Sequence, residues 1–387
     1  MRLILRSIHV IAIVLLCACG EHAPSDVSSI DSAGVAIVTS AATDKPLPWT
    51  LTEVLRIGGA DSGIGSFTSV SPYVVQTDGR NRIVVLNRDR NTVELFDSTG
   101  APITSLGAKG SGPGEFSFAL ELLDLGEDQV GLIDMSKMAA VRWSASGEVL
   151  PEVRAAPELR VMRGDTAWVG INLTDSVRSV SGVGIAIGAD TTALDTLVGP
   201  PRTMTTFSCF SAMLPPMFTS RVVWDFSGGN LASTNQGSYS VQLFRGKSLV
   251  RSIRRPIEPI PTAPEMARSQ YPEGWTVSFG NGGGCTMEPS EVADKLGMAS
   301  HLPVITNVAF GPRGTLWVDR HVFPGEAAVT DVFDREGAYL GTVHGKGLPL
   351  GWLGDDRVLF AIGDEATGVS VIGVYRITES INGAPAS

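Results

Sequence analysis

The chain has 387 residues, 43% of them hydrophobic, and a formal net charge of −10. That length and apolar content are enough for a large buried core. The acidic balance argues against a nucleic-acid partner, because binding nucleic acid needs clustered Lys and Arg. The one basic cluster, at residues 245–255, equally fits the solvated face of an edge strand.

The first residues have the order of a secretory signal peptide. Arg2 and Arg6 precede the apolar run from Val10 to Leu16, which is too short to span a bilayer. The sequence Leu16-Cys17-Ala18-Cys19 resembles the bacterial lipobox, and the resemblance implies cleavage after residue 18 and acylation of Cys19. The alternative is an ordinary signal peptide in which both cysteines are incidental.

These features predict a lipoprotein of the bacterial cell envelope, anchored to a membrane by lipid and facing the periplasm or the exterior. Residues 1–18 are the predicted signal peptide and residues 19–33 a small, polar, lipidated tether. Residues 34–378 are the predicted folded domain, and residues 379–387 a flexible tail.

An internal repeat is the most informative property of the remaining chain. Residues 58–67 and 107–116 both begin with Gly and end in Ser-Gly-x-Gly-x-Phe, 49 positions apart. A period of 20 to 50 residues is typical of solenoids and propellers. The glycines allow positive φ where one repeat turns into the next, and Phe67 and Phe116 are predicted to pack between adjacent sheets. A phosphate-binding loop is a poor alternative, because no Gly-Lys-Ser/Thr sequence and no helical pattern follow.

A second signal is a short strand that ends in an aromatic residue before a turn. Steps of 47, 101, 89 and 42 residues between these aromatics leave room for one unmarked blade, at 161–197, and for one insertion. The pattern predicts an all-β fold, a six-bladed β-propeller of four-stranded antiparallel blades. The marking residues are Phe96, Trp143, Phe244, Phe333 and Tyr375.

Residues 107–116, with their Gly-Pro-Gly-x-Phe ending, resemble the blade-joining loop of NHL-type repeats and of the six-bladed bacterial propeller lipoproteins similar to them. The last blade, from 350 to 377, shows room for only three strands. The strand predicted at Gly34–Ser40 has no partner of its own, so we expect it to complete that blade and remove a free edge.

One stretch, residues 256–300, breaks the period between blades four and five. It is predicted to begin a helix at the capping box that starts with Thr262, and to contain a second helix from Glu291 to Gly297. Long loops of this kind carry function more often than the blades. We expect an ordered cap over one mouth of the central channel.

The sequence offers little for catalysis. Two cysteines remain after Cys19, and an exported compartment favours a Cys209–Cys285 disulfide, the alternative being two separate buried thiols. The histidines His301, His321 and His344 lack the spacing of a zinc site. No catalytic residue, metal or cofactor is predicted. Acidic residues for a calcium site are present without any spacing that brings them together, as at Glu115, Glu121, Asp134, Asp225 and Asp319.

Two functional classes remain. The favoured one is a binding or scaffolding module for an envelope protein, a peptide or a glycan, and the alternative is a lactonase- or lyase-type propeller enzyme with Ca²⁺ or Zn²⁺ in its channel. Arg221, Trp224 and Trp275 are the predicted ligand-binding residues, since Arg and Trp grip anionic or sugar-like groups by hydrogen bonding and stacking. In the alternative interpretation, Trp224 packs between blades and Arg221 is a surface charge.

Overall fold

The computed structural model describes residues 27–59, 67, 70–125, 129–154, 202–220, 223–234, 237–246, 248–278, 284–323, 325–363 and 369–379, together with the backbone of four strands between 159 and 198. The predicted acylation site Cys19 and the predicted ligand residue Arg221 lie outside this range. In the described part, no helix is long and apolar enough to cross a membrane.

The N-terminal part of the described chain supplies three strands that join sheets formed later in the sequence. They are β1 (Val27–Ser32), β2 (Val35–Ser40) and β3 (Trp49–Ile57).

The first three sheets each contain four antiparallel strands in chain order. Sheet 1 consists of β4 (Val75–Thr77), β5 (Ile83–Asn87), β6 (Thr92–Phe96) and β7 (Pro102–Leu106). Sheet 2 consists of β8 (Ala119–Leu123), β9 (Gln129–Asp134), β10 (Ala139–Ser144) and β11 (Val149–Arg154). Sheet 3 consists of β12 (Leu159–Arg163), β13 (Ala167–Asp175), β14 (Val180–Ile187) and β15 (Asp190–Val198).

Sheet 4 follows a hairpin of β16 (Thr203–Thr206) and β17 (Ser211–Leu214). Its strands are β18 (Val223–Ser227), β19 (Asn230–Thr234), β20 (Ser240–Arg245) and β21 (Ser248–Arg254). An insertion then contains α1 (Pro264–Gln270), β22 (Trp275–Ser278), β23 (Gly284–Met287) and α2 (Pro289–Leu296).

Sheets 5 and 6 complete the chain. Sheet 5 consists of β24 (Ile305–Phe310), β25 (Leu316–Arg320), β26 (Val329–Phe333) and β27 (Tyr339–His344). Sheet 6 consists of β28 (Gly351–Leu353), β29 (Arg357–Gly363), β30 (Ser370–Glu379) and, as its fourth strand, β3 from the N-terminal part.

The N-terminal strand does not complete the last sheet, so that prediction is wrong in its choice of strand. β2 instead pairs in parallel with β21, and with β1 it extends sheet 4 to six strands. β3 takes the predicted place, antiparallel to β30. β1 also occupies residues 27–32, which were predicted to belong to the tether.

The aromatic signal marks the third strand of its sheet in every case. Phe96, Trp143, Phe244, Phe333 and Tyr375 lie on β6, β10, β20, β26 and β30, and all five are buried. The repeated motif supplies the partners: Phe67 packs edge-to-face on Phe96 and Phe116 on Trp143, each with ring centroids 6.3 Å apart. The two motif phenylalanines therefore fill equivalent places in sheets 1 and 2.

Neighbouring sheets share hydrophobic cores. One core joins sheets 6, 1 and 2, a second joins sheets 4 and 5, and a third joins sheets 5 and 6. First strands also touch between sheets, β18 against β24, β28 against β4 and β8 against β12. The described sheets are thus packed side by side in the order 4, 5, 6, 1, 2, 3.

The predicted capping box at the start of the insertion is wrong. α1 is preceded by Ala263, whose side chain makes no capping hydrogen bond, and the Thr262 hydroxyl donates to the Ala299 carbonyl oxygen. The second predicted helix is present as α2, with Gly297 at its C-cap in a positive-φ conformation (φ 67°) that favours glycine.

Candidate functional site

A cleft lies where the insertion leaves sheet 4 and enters sheet 5. Strand pairing aligns Ile305, Arg320, Val329 and His344 across one end of sheet 5. The insertion begins directly after β21 and returns to β24, which starts at this same end. Its two stems, which we define as residues 255–262 and 298–304, therefore form walls above the sheet.

The two stems are joined by backbone hydrogen bonds. The Thr262 amide donates to the Ser300 carbonyl at 3.1 Å, and the Leu302 amide donates to the Ile260 carbonyl at 2.8 Å. Pairing fixes the backbones of the stems relative to each other, because the backbone groups that would otherwise need water are satisfied. The walls of the cleft are consequently preformed.

A buried arginine holds the base of the first stem. The side chain of Arg255 is fully buried and its Nη1 lies 2.7 Å from Oδ2 of Asp331, which is also fully buried. Tyr239 donates its hydroxyl to the same carboxylate at 2.6 Å, and Thr342 donates to the other oxygen at 2.7 Å. Burial and the Asp331 carboxylate raise the pKa of Tyr239, so the phenol stays protonated as a donor.

Arg255 also fastens the N-terminal strap, which we define as residues 41–46. Its guanidinium donates to the carbonyl oxygens of Ala41 at 3.0 Å, Ala42 at 2.9 Å and Thr43 at 3.2 Å. A further bond of 2.9 Å reaches the Asp44 carboxylate. A buried guanidinium needs such a full set of acceptors, and the strap provides most of them.

Asp44 connects this buried network to the cleft. Arg320 contacts the second oxygen of the Asp44 carboxylate, and Arg320 Nε lies 3.4 Å from Asp331. Burial opposes ionisation of Asp44, but hydrogen bonds from Arg320 and Arg255 outweigh it and lower the pKa of this carboxyl. Two arginines and two aspartates therefore form a charge-balanced floor.

Asp319, next to Arg320 on β25, has a different environment. The Thr330 hydroxyl donates to its Oδ1. Burial nevertheless raises the pKa of Asp319 to about 6, and the nearby negative charge of Asp331 acts in the same direction. Asp319 is not among the residues that line the cleft, and its carboxyl titrates in mildly acidic solution.

The cleft itself has a volume of about 210 Å³ and opens to solvent. Its polar groups are Asp44, Glu258, Arg320 and His321, and burial lowers the pKa of His321 so that the imidazole is neutral at neutral pH. The remaining walls are aliphatic or proline, at Ile257, Pro259, Ile260, Pro303, Val304 and Val329. A concave apolar surface with a few polar groups is the usual form of a ligand site.

Beyond the stems, the insertion has a small core of its own. Phe207 and Phe210 of the β16–β17 hairpin stack at 5.1 Å, and both contact Trp275 edge-to-face. A disulfide joins Cys209 to Cys285, whose Cα atoms lie 6.2 Å apart, within the range that this bond requires. The hairpin and the insertion are thus fastened together.

The two predicted ligand residues that the structure describes lie on different elements, Trp224 on β18 and Trp275 on β22. Trp224 is 1% exposed on β18, which favours its alternative role as a packing residue. Trp275 is half-buried in the core of the insertion, where it also stacks on Tyr271. With Arg221 outside the described residues, a ligand role for this set stays a prediction.

The acidic residues considered for calcium have other partners. Asp134 accepts from the amides of Ser117 and Phe118, and Asp225 accepts from the Phe310 amide at 2.6 Å. Glu115 accepts from the Gly112 amide at 2.8 Å. Within the described ranges, no three His, Cys, Asp or Glu side chains are grouped so that they could hold a metal ion.

Sequence reasoning missed the network around Arg255. That residue was assigned to a basic cluster on a solvated strand face, but it is 3% exposed, so the assignment is wrong for Arg255. Its acceptors come from residues more than 70 positions away, at Asp331 and in the strap. No local pattern marks a partner at that distance.

Comparisons with known proteins agree with this architecture. A family model described as a 6-bladed beta-propeller matches residues 68–163. The solved structure of a Bacteroides fragilis protein described as exported is 13% identical, covers 88% of this chain and 99% of its own, and has a TM-score of 0.51. Together they show a bacterial β-propeller.

More distant structures are also similar. A Bacteroides vulgatus protein, 8% identical, covers 87% of this chain and 100% of its own at a TM-score of 0.49. A catalytically inactive virginiamycin B lyase from Staphylococcus aureus is 10% identical, covers 85% of this chain and 100% of its own, and has a TM-score of 0.35. No curated protein matches this chain at a significant level. At such identities the likeness concerns the fold alone.

Proposed function

We propose that this protein is a membrane-anchored lipoprotein of the bacterial envelope and that its propeller is a binding module. The preformed cleft between the insertion stems and sheet 5 is the observation that carries the proposal. It combines aliphatic walls, few polar groups and a rigid, charge-balanced floor, which together suit recognition of a small ligand or of one side chain of a partner.

The polar groups of the cleft favour binding over catalysis. Asp44 and Arg320 are held by each other and by the buried pair beneath them, so neither is poised to exchange a proton. His321 is the one imidazole that lines the described cleft, and no second histidine or cysteine lines it alongside. These residues can orient a ligand without changing it.

We further propose that the six sheets close into a six-bladed ring. Contacts already connect them in the order 4, 5, 6, 1, 2, 3, and β3 gives sheet 6 its fourth strand. Ring closure would give the exposed faces of sheets 3 and 4 a packing partner, and the radial arrangement leaves only short, protected strand edges. An experimental structure in which sheet 3 does not pack against sheet 4 would contradict closure.

Lipid anchoring is tested by substitution at Cys19. Cys19→Ser is expected to abolish incorporation of labelled fatty acid and to release the protein from the membrane fraction, while Cys17→Ser serves as the matched control and keeps both. Unchanged labelling of the Cys19→Ser protein would show that the lipobox resemblance is misleading.

The cleft is tested with the chain starting at residue 27 and a library of di- and tripeptides, screened by ligand-observed NMR. Ile260→Trp, which fills the cleft, should remove the hits. Ile103→Trp, at a 49% exposed position on β7, is the control and should retain them. No hits at all, or hits that survive Ile260→Trp, would overturn the assignment of this cleft.

A further inference from the structure

The cleft and its floor together have one more negative charge than positive charges. In that floor, Arg255 and Arg320 are matched by Asp44 and Asp331. Glu258 also lines the cleft, is exposed, and makes no ion pair among the described residues. The cleft therefore has one carboxylate to offer to a ligand.

From this surplus we infer that the cleft binds the basic side chain of a peptide, an inference that rests on the binding function proposed above. The aliphatic stem of a lysine would pack against the walls, and its ammonium group would pair with Glu258. Long basic side chains combine an apolar stem with a charged end, which matches a cleft with aliphatic walls and one carboxylate.

The size of the cleft supports a single side chain as occupant. Sites for drug-sized molecules enclose about 300–1,000 Å³. This cleft encloses about 210 Å³, which is too little for an oligosaccharide but is of the right order for one long side chain. The walls nearest in sequence to Glu258 are Ile257, Pro259 and Ile260, so the stem of the ligand would lie beside its charge partner.

Among the residues that line the described cleft, no other side chain has an unmatched charge. His321 is neutral at neutral pH because burial lowers its pKa, and Arg320 is turned to Asp44 and Asp331. The net charge of −10 on the whole chain adds a weak long-range attraction for cationic peptides. Local and global charge thus favour the same class of partner.

The experiment compares three capped amino acids whose side chains are positively charged, neutral or negatively charged. N-acetyl-lysine methylamide, its norleucine analogue and its glutamate analogue are titrated by ligand-observed NMR into the chain starting at residue 27. Lysine is expected to bind about three- to tenfold more tightly than norleucine, as for a partly exposed ion pair, with glutamate the weakest.

Glu258→Gln should erase the preference for lysine and leave norleucine unchanged. Glu273→Gln, an exposed position elsewhere in the insertion, is the matched control and should keep the preference. Equal binding of lysine and norleucine to the parent protein would overturn the inference but not the binding function. If none of the three probes binds, the result would count against both the inference and the proposed binding function.

Discussion

Asp319 makes the stability of the fold depend on pH, and the substitution Asp319→Asn isolates its contribution. The pKa of Asp319 is raised to about 6 in the folded chain, against 3.8 for an unperturbed carboxyl, because burial disfavours the charged form. The folded state therefore holds this proton more tightly than the unfolded chain. Relative to a side chain that does not ionise, the effect of Asp319 on stability is close to zero below about pH 4 and becomes a cost as the pH rises through 6.

The size of that cost follows from the shift. Two pKa units correspond to about 3 kcal/mol at neutral pH, and partial access of water to the carboxylate reduces the expected value to about 1–2 kcal/mol. Asparagine removes the ionisation and keeps an oxygen that accepts the Thr330 hydroxyl. Asp319→Asn is thus expected to be about 1–2 kcal/mol more stable than the parent near pH 7.5 and nearly equal to it near pH 4.

Urea unfolding of the chain starting at residue 27, followed by circular dichroism at several pH values, measures this difference. His321 acts in the opposite direction, because a lowered pKa costs stability as the pH falls, but it is common to both proteins and cancels. Asp355→Asn, at an exposed position, is the control. A stability difference that does not change between pH 4 and pH 7.5 would refute the reasoning.

Three further predictions concern the frame that holds the cleft. Gly114→Ala should cost about 1–3 kcal/mol, because Gly114 has φ 73° and an added Cβ would lie 2.7 Å from a methyl carbon. Arg255→Met should cost about 3–5 kcal/mol, because the buried Asp331 carboxylate loses the nearer of its two guanidinium partners. Cys209→Ser with Cys285→Ser should lower stability by about 2–4 kcal/mol, and a non-reduced digest of the parent should contain the linked peptides.

Each of these has a matched control. Gly112→Ala, where φ is not positive, should cost less than the change at Gly114, and an equal cost would contradict the strain argument. Arg254→Met, at an exposed position, is the control for Arg255→Met and should change the free energy of unfolding little. Two free thiols in the mass spectrum would disprove the disulfide. All three stabilities are measured by urea unfolding.

The repeats were predictable because they are local. A Ser-Gly-x-Gly-x-Phe loop followed by a strand ending in an aromatic residue contains both partners of one contact, and Phe116 indeed packs on Trp143. Gly114 has the positive φ predicted for the loop glycines, whereas Gly112 does not, and its amide donates to Glu115.

Partners far apart in sequence could not be predicted. The sequence was interpreted as offering only Gly34–Ser40 to complete the last sheet, and the parallel pairing of β2 with β21, more than 200 residues away, has no local signal. The burial of Arg255 depends on the strap in the same way. The cleft was missed because its walls, Ile257 and Val304, come together only when the two stems pair.

The pairing of β1 with β2 bears on how the protein would stand on its membrane. Val27 is opposite Ser40, only four residues before Asp44, so the described chain begins beside the cleft. If Cys19 is acylated, seven residues lie between it and Val27, and the eight steps along the chain span at most about 28 Å. The cleft would then be held near the bilayer surface, where it would meet the juxtamembrane segments of integral proteins in preference to solutes free in the bulk compartment.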